Sequence, residues 1–296
     1  MTLPDLQNRP DERGIAIERV GITNVKFPIR VRTKEGGFQE TSARVKLFVG
    51  LPEEYKGVNM SRFMESLVEF RDINGDFSGV QMPDLLKTLM KNLKSKDAYA
   101  RFEFDYFINI TAPVSKKVAP QAYRCAFTGI LQDDGTYDFV LEVNVTAASL
   151  CPCSKEMSLL DNLMPEETNI PEAYASEVEM SGIGNKVGMG AHNQRSQIRA
   201  EVIAVPDQII WIEDVVSLIE AQASAPVFPI LKRPDEKYVT ELAYKNPKFS
   251  EDITRDVQTS LMAHPLVSAW RLRVFNEESI HTFDVCCYQE SDNWQH

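Results

Sequence analysis

Apolar and polar residues alternate along 15–31, with a phase slip near Val20 of the kind a bulged strand produces. The "EGG" at 35–37 reads as a turn, and alternation resumes in "FQETSARVKLFVGL". Met60, Phe63, Met64, Leu67 and Val68 then recur at helical spacing behind Asn59, a predicted N-cap. Leu86, Leu89, Met90 and Leu93 repeat the pattern behind Pro83 and Asp84. Strand alternation returns from Phe102 to Ile110, and "DDG" (133–135) marks a hairpin between "YRCAFTGIL" and "YDFVLEVNV". The order is β-β-α-α-β-β-β, delivering the chain to Cys151.

Ile198, Ala200, Val202 and Ala204 alternate again. Helical patterns follow near 211–223, 235–245 and 247–263, then strands near 266–276 and 279–289. This second stretch varies the element order of the first. The pattern predicts an α+β protein of two related antiparallel-sheet modules, 15–158 and 188–296, with helices on one face. A leader (1–14) precedes them. Between them lies an insertion or flap, 159–187, whose part 159–185 holds six carboxylates and no Lys or Arg.

Composition narrows the class. With 43% apolar and 25% charged residues, the chain is ordinary for a globular protein. It shows no secretory pattern at its start and no apolar run long enough for a membrane helix. The five cysteines are an odd number, so a reducing cytoplasm is expected rather than a disulfide framework. A net charge of −11 argues against non-specific nucleic-acid binding but leaves room for one anionic small molecule on a local basic cluster.

Two of those cysteines flank a proline in "SLCPCSKEMS" (149–158). Thiols on so stiff a tripeptide can hold a metal, supply a nucleophile or fill a core. An extended C-P-C segment would turn both toward one cavity. His192 stands in the polar, glycine-flanked "GAHNQRSQ", while Glu278 and His281 share "NEESIHTFD". His264, before a proline, reads as a structural helix end. Cys151 or Cys153 with His192 and one carboxylate would make a three-ligand site, leaving a fourth position for water. "PILKRPDEKYVTE" surrounds Asp235 and Glu236 with Lys232, Arg233 and Lys237: a solvated helix start, or a phosphate cluster beside a metal-binding acid.

Taken in chain order, these four motifs and "NPKFSEDITRDV" (246–257), which falls before "NEESIHTFD", resemble the type IB GTP cyclohydrolase family, as does the N-terminal "LPDLQNRPDERGIAIERVGITNVKFPI". The resemblance covers nearly the whole chain apart from the acidic stretch, which makes the link between "CPCSKE" and "GAHNQRS" about thirty residues longer than is usual there. It implies the tunnelling fold, a homotetramer with active sites at subunit interfaces, and conversion of GTP and water to formate and 7,8-dihydroneopterin triphosphate. It also implies one divalent metal per site (Zn, Mn or Fe) on Cys151, His192 and Glu236, with Cys153 as the second, catalytic cysteine. Glu251 would hold the guanine edge, and Glu278 and His281 would form an acid–base pair. Lys155, Arg195, Lys232, Arg233 and Lys237 are the expected triphosphate contacts. The competing expectation is a purine- or pterin-binding protein without hydrolysis.

Overall fold

In the computed structural model, which describes residues 7, 10–75, 77, 79–159 and 190–295, every alternating segment enters a single antiparallel sheet. Strands β1 (Ile17–Arg32) and β2 (Phe38–Leu51) form a hairpin. The pairing of β1 slips between Ile17 and Val20 and again between Ile22 and Val25, where the sequence pattern changes phase. Helices α1 (Ser61–Asn74) and α2 (Met82–Leu93) follow. The N-cap position is Met60 rather than the expected Asn59, whose side chain accepts the Ser61 N–H at 3.1 Å from one residue before it. Strands β3 (Ala98–Thr111), β4 (Val118–Leu131) and β5 (Tyr137–Leu150) make a meander that ends at a short helix, α3 (Pro152–Leu159).

Beyond the undescribed stretch come β6 (Asn193–Ala204), α4 (Ile212–Glu220) and the two-residue β7 (Ala225–Pro226). Helices α5 (Arg233–Lys245) and α6 (Ser250–Ala263) and strands β8 (Val267–Glu277) and β9 (Val285–Glu290) complete the chain. The strand order is β1-β2-β3-β4-β5-β6-β8-β9, with β7 paired to the end of β5. The insertion 159–187 lies outside the described residues except for Leu159, as do residues 1–6, 8 and 9 of the leader.

The expected fold, a tunnelling fold of two related modules, is overturned by this topology. Strand β5 pairs with β6 from Val140–Ile203 to Leu150–Asn193, so the supposed boundary between modules runs through the middle of one nine-stranded sheet. The reason is apolar continuity. Val143, Val145 and Ala147 on β5 share one buried core with Ile198, Ala200 and Val202 on β6, and separating the strands would bare that face. Element order alone could not reveal the pairing.

Helices close the same core. On α2, Met82, Leu85, Leu86, Leu89 and Leu93 are buried at the i, i+3, i+4, i+7 spacing of one helical face. Each such leucine contributes roughly 1.5–3 kcal/mol by leaving water. The helix seats directly on Gly129 of β4, where a Cβ would lie 2.4 Å from the Met82 Cγ. Helix α4 is tied to the sheet by two carboxylates: Tyr106 donates to Glu213 at 2.5 Å and Tyr123 to Glu220 at 2.6 Å. The α4 N-terminus also meets the β1–β2 turn, through Lys34 with Glu213 and Asp214.

Burial raises the Glu220 carboxyl, and the Tyr123 hydrogen bond only partly opposes this. The folded carboxyl therefore keeps its proton to higher pH than the unfolded chain does. Its favourable contribution is complete below the unfolded value and is lost as pH rises through the folded one. Glu220→Gln retains an acceptor for Tyr123 without the charge. It should raise the melting temperature more near pH 7 than at about pH 4, where wild type is itself protonated. Equal shifts at both pH values in thermal unfolding would contradict this.

Candidate active site

Past Leu150–Asn193, the last registered pair of β5 and β6, the Cys151 N–H donates to the His192 carbonyl at 3.2 Å. The sheet's own geometry thus sets the backbones of Cys151 and His192 opposite one another. The chain does not remain extended through C-P-C, as the proline alone would predict. Pro152 opens α3, whose first turn its fixed φ suits, and Cys153 is helical and exposed. Cys151 lies just before the helix, where its Sγ accepts the Ser154 N–H at 3.5 Å. The two sulfurs are separated by a helix start, one half-buried and one in solvent.

His192 is half-buried and well held. Its N–H reaches the Ser154 Oγ at 3.4 Å, and its Nδ1 lies 2.9 Å from the Gln194 Oε1 and 3.3 Å from the Ser279 Oγ. The Gln194 Nε2 donates to the Glu278 Oε1 at 3.2 Å. Gln194, Ser154 and Ser279 were not among the residues singled out from sequence. The available signal was the alternation that puts residues 192 and 194 on one side of β6. Across from Gln194 in the register is Ser149, fully buried, with a hydroxyl that has no hydrogen-bond partner among the described residues.

Helix α5 flanks this corner. Val239, Leu242 and Ala243 pack with Leu150, Ala225 and Ala191 in a small apolar cluster of their own. Glu236 continues the stripe of Val239 and Ala243 at i−3 and i−7 and is exposed at its end. The neighbouring Asp235 is buried and structural: it accepts the Val114 and Ser115 N–H groups of the β3–β4 turn and the Lys232 N–H, each at 2.8 Å. Burial would raise its carboxyl; the Ser115, Lys232 and Val114 bonds outweigh that and hold it well below the usual carboxylate range. Lys232, Arg233 and Lys237 remain exposed beside it, Lys237 pairing with Glu241 at 3.6 Å.

The other predicted residues fall at the same end or on its rim. The Lys248 N–H donates to the Leu150 carbonyl at 3.0 Å, which brings the start of α6 and the exposed Glu251 toward Cys151. Lys155 donates to the Tyr244 carbonyl at 2.6 Å and lies over the Tyr244 ring, so it fastens α3 to the C-terminal turn of α5. Arg195 is exposed on β6, opposite Ala148 and Glu277. His281 is exposed in the β8–β9 loop, its ring stacked on Phe283 at 5.0 Å. Among the described residues, no three His, Cys, Asp or Glu side chains are gathered tightly enough to hold a metal ion as they stand. The fit to a metal rests on donor chemistry: a thiol and an imidazole on residues joined by a backbone hydrogen bond, and a carboxylate on the helix that packs on their neighbours Leu150 and Ala191.

Residues 3–287 match the family described as type I GTP cyclohydrolase folE2. The chain belongs to this family. The GTP cyclohydrolase FolE2 of Azoarcus sp. (strain BH72) is 40% identical over 290 residues, covering 98% of this chain and 95% of that one. That of Geobacter sulfurreducens is also 40% identical over 290 residues, covering 98% of each. FolE2 is a different family from the tunnelling-fold GTP cyclohydrolase I, so the tunnelling fold that the type IB resemblance implied does not carry over and the resemblance is corrected to that extent. Among solved structures, uricase from Arthrobacter globiformis superposes with a TM-score of 0.56 at 7% identity, over 94% of this chain and 95% of that chain. At that identity the likeness concerns the fold alone.

Proposed function

We propose that this FolE2-family GTP cyclohydrolase converts GTP and water to formate and 7,8-dihydroneopterin triphosphate, an entry step of folate biosynthesis, at the end of the sheet that carries Cys151 and His192. The observation that carries the reading is the chain of contacts Cys151–His192–Gln194–Glu278 in a protein of this family. Cys151, His192 and Glu236 would hold one divalent metal: Zn, Mn and Fe all accept this mixture of donors. When bound, such a metal acidifies its water, supplying hydroxide near neutral pH.

The remaining residues divide the work. C8 of guanine is a poor electrophile, so protonation of the imidazole ring by an acid assists addition of water there. Ring opening and a second hydrolysis release formate. The ribose then rearranges and closes onto the freed amine with loss of one water. These proton transfers suit Glu278 and His281, with Cys153 facing the purine. Glu251 can accept two N–H groups from the guanine edge, a pattern adenine lacks, and a mismatch there leaves buried polar groups unpaired. Lys232, Arg233 and Arg195 are exposed and placed to meet the triphosphate, as is Lys237 beyond its exposed pair with Glu241, and Lys155 retains donors beyond the one given to Tyr244.

Reduced, metal-loaded protein should release one formate per GTP consumed and leave ATP untouched. Formate assay and pterin fluorescence measure this, and failure to turn over GTP with any of Zn, Mn or Fe would favour a purine- or pterin-binding protein.

The two cysteines should separate. Cys151→Ala removes a donor, so metal content and turnover fall together. Cys153→Ala keeps the metal and loses roughly 10²–10⁴ in rate, about 3–5 kcal/mol of barrier. Elemental analysis of both purified variants decides, and equal metal loss in the two would make both cysteines ligands.

A homotetramer with shared sites accounts for the exposure of Cys153, Glu251 and His281, and for the two sheet edges, β1 and β9, that have no partner strand among the described residues. Light scattering should find four chains in the active species; a fully active single chain would contradict it.

A further inference from the structure

We infer that Gln194 is a positioning residue: it fixes the His192 proton on Nδ1 and holds the Glu278 carboxylate in the same hydrogen-bonded chain. The inference rests on reading His192 as a metal ligand and Glu278 as an acid–base group. A carboxylate only accepts hydrogen bonds, so the group of Gln194 that faces the Glu278 Oε1, at 3.2 Å, is the amide NH₂. The opposite orientation would set carbonyl against carboxylate. The Gln194 carbonyl therefore faces the His192 Nδ1, at 2.9 Å, and an acceptor there requires that Nδ1 carry the proton. That leaves Nε2 with its lone pair outward, the form in which an imidazole binds a metal. The Ser279 hydroxyl, 3.3 Å from the same Nδ1, can donate or accept and so does not decide the tautomer.

One amide thus links the ligand to the acid–base group. It is held in place because Gln194 is half-buried on β6, opposite Ser149 in the register of the sheet. The direction of the amide is dictated from Glu278, and the tautomer of His192 follows from it. Neither end of the chain of bonds could be reversed alone.

Long-range ¹H–¹⁵N correlation spectra of the full-length chain, with His192 assigned by its loss in His192→Ala, test the tautomer directly. The wild type should show Nδ1–H at His192, and Gln194→Ala a mixture of tautomers. Zinc titrated against a chelator should bind Gln194→Ala about 10–100-fold more weakly. Gln194→Glu keeps an acceptor for Nδ1 but opposes Glu278, so it should hold zinc within a few-fold of wild type while formate release falls. A wild-type His192 protonated on Nε2, or unchanged zinc affinity in Gln194→Ala, would overturn the assignment. Wild-type protein that binds no zinc would instead overturn the metal reading of the site, and the tautomer spectrum would still decide the role of Gln194.

Discussion

Leu150 of β5 pairs with Asn193 of β6, and everything at the site is counted from that pair. Strand side chains alternate, so a slip of one residue would turn every partner to the other face. Val143, Val145 and Ala147 would leave the core, and His192 would no longer stand opposite Cys151. The same pairing carries the sheet across the place where the chain leaves for the acidic stretch. A long excursion between two paired strands costs little more than a short one, because closure entropy grows only logarithmically with loop length. The insertion and an intact Cys151–His192 corner are therefore compatible.

A ladder of charge across the sheet reinforces that register. Lys46 and Arg101 meet Glu103, Arg101 and Arg199 meet Glu142, and Arg199 and Arg271 meet Glu201, at 2.5–3.3 Å over strands β2, β3, β5, β6 and β8. Burial opposes the Arg101 charge, and Glu142 and Glu103 more than restore it. Burial likewise opposes ionisation of Glu201, whose carboxyl is nevertheless lowered by Arg271 and Arg199. Pairs this enclosed gain little over apolar side chains of equal volume, since desolvation consumes most of the attraction. Their larger effect is on alternatives: a shifted register would leave an enclosed charge without its partner, which costs several kcal/mol.

Much of this was legible in the sequence wherever a segment carried its own periodicity. The phase slip of β1, the hairpin at "DDG" and the buried stripe of α2 are all local consequences of side-chain spacing. The continuity of the sheet was not legible, because the partner of β5 stands more than forty residues away and no local pattern names it. The shape of C-P-C was misjudged for a related reason. Pro152 fits an extended segment and the first turn of a helix equally well, and only the residues after it decide. Motif matching brought Cys151, His192 and Glu278 forward but passed over Gln194, a neutral side chain whose importance depends on having two partners at once.

The site divides into a fixed floor and an exposed rim, and the division follows from charge. A chain of net charge −11 repels a triphosphate at long range. Beyond about 8 Å, however, physiological salt screens that repulsion, and local cations govern the approach. Lys155 is partly committed to the Tyr244 carbonyl, so the exposed group of Lys232, Arg233 and Lys237 is the main local source of positive charge near α5. Its position is set by Asp235, which spends its carboxylate on backbone N–H groups of the β3–β4 turn and of Lys232 rather than on those cations. A buried acid used this way leaves the surrounding lysines and arginine uncompensated by it. The same residue anchors α5, and α5 carries Glu236 at the exposed end of the stripe that packs on Leu150 and Ala191, the neighbours of the Cys151 and His192 that the β5–β6 register has already paired.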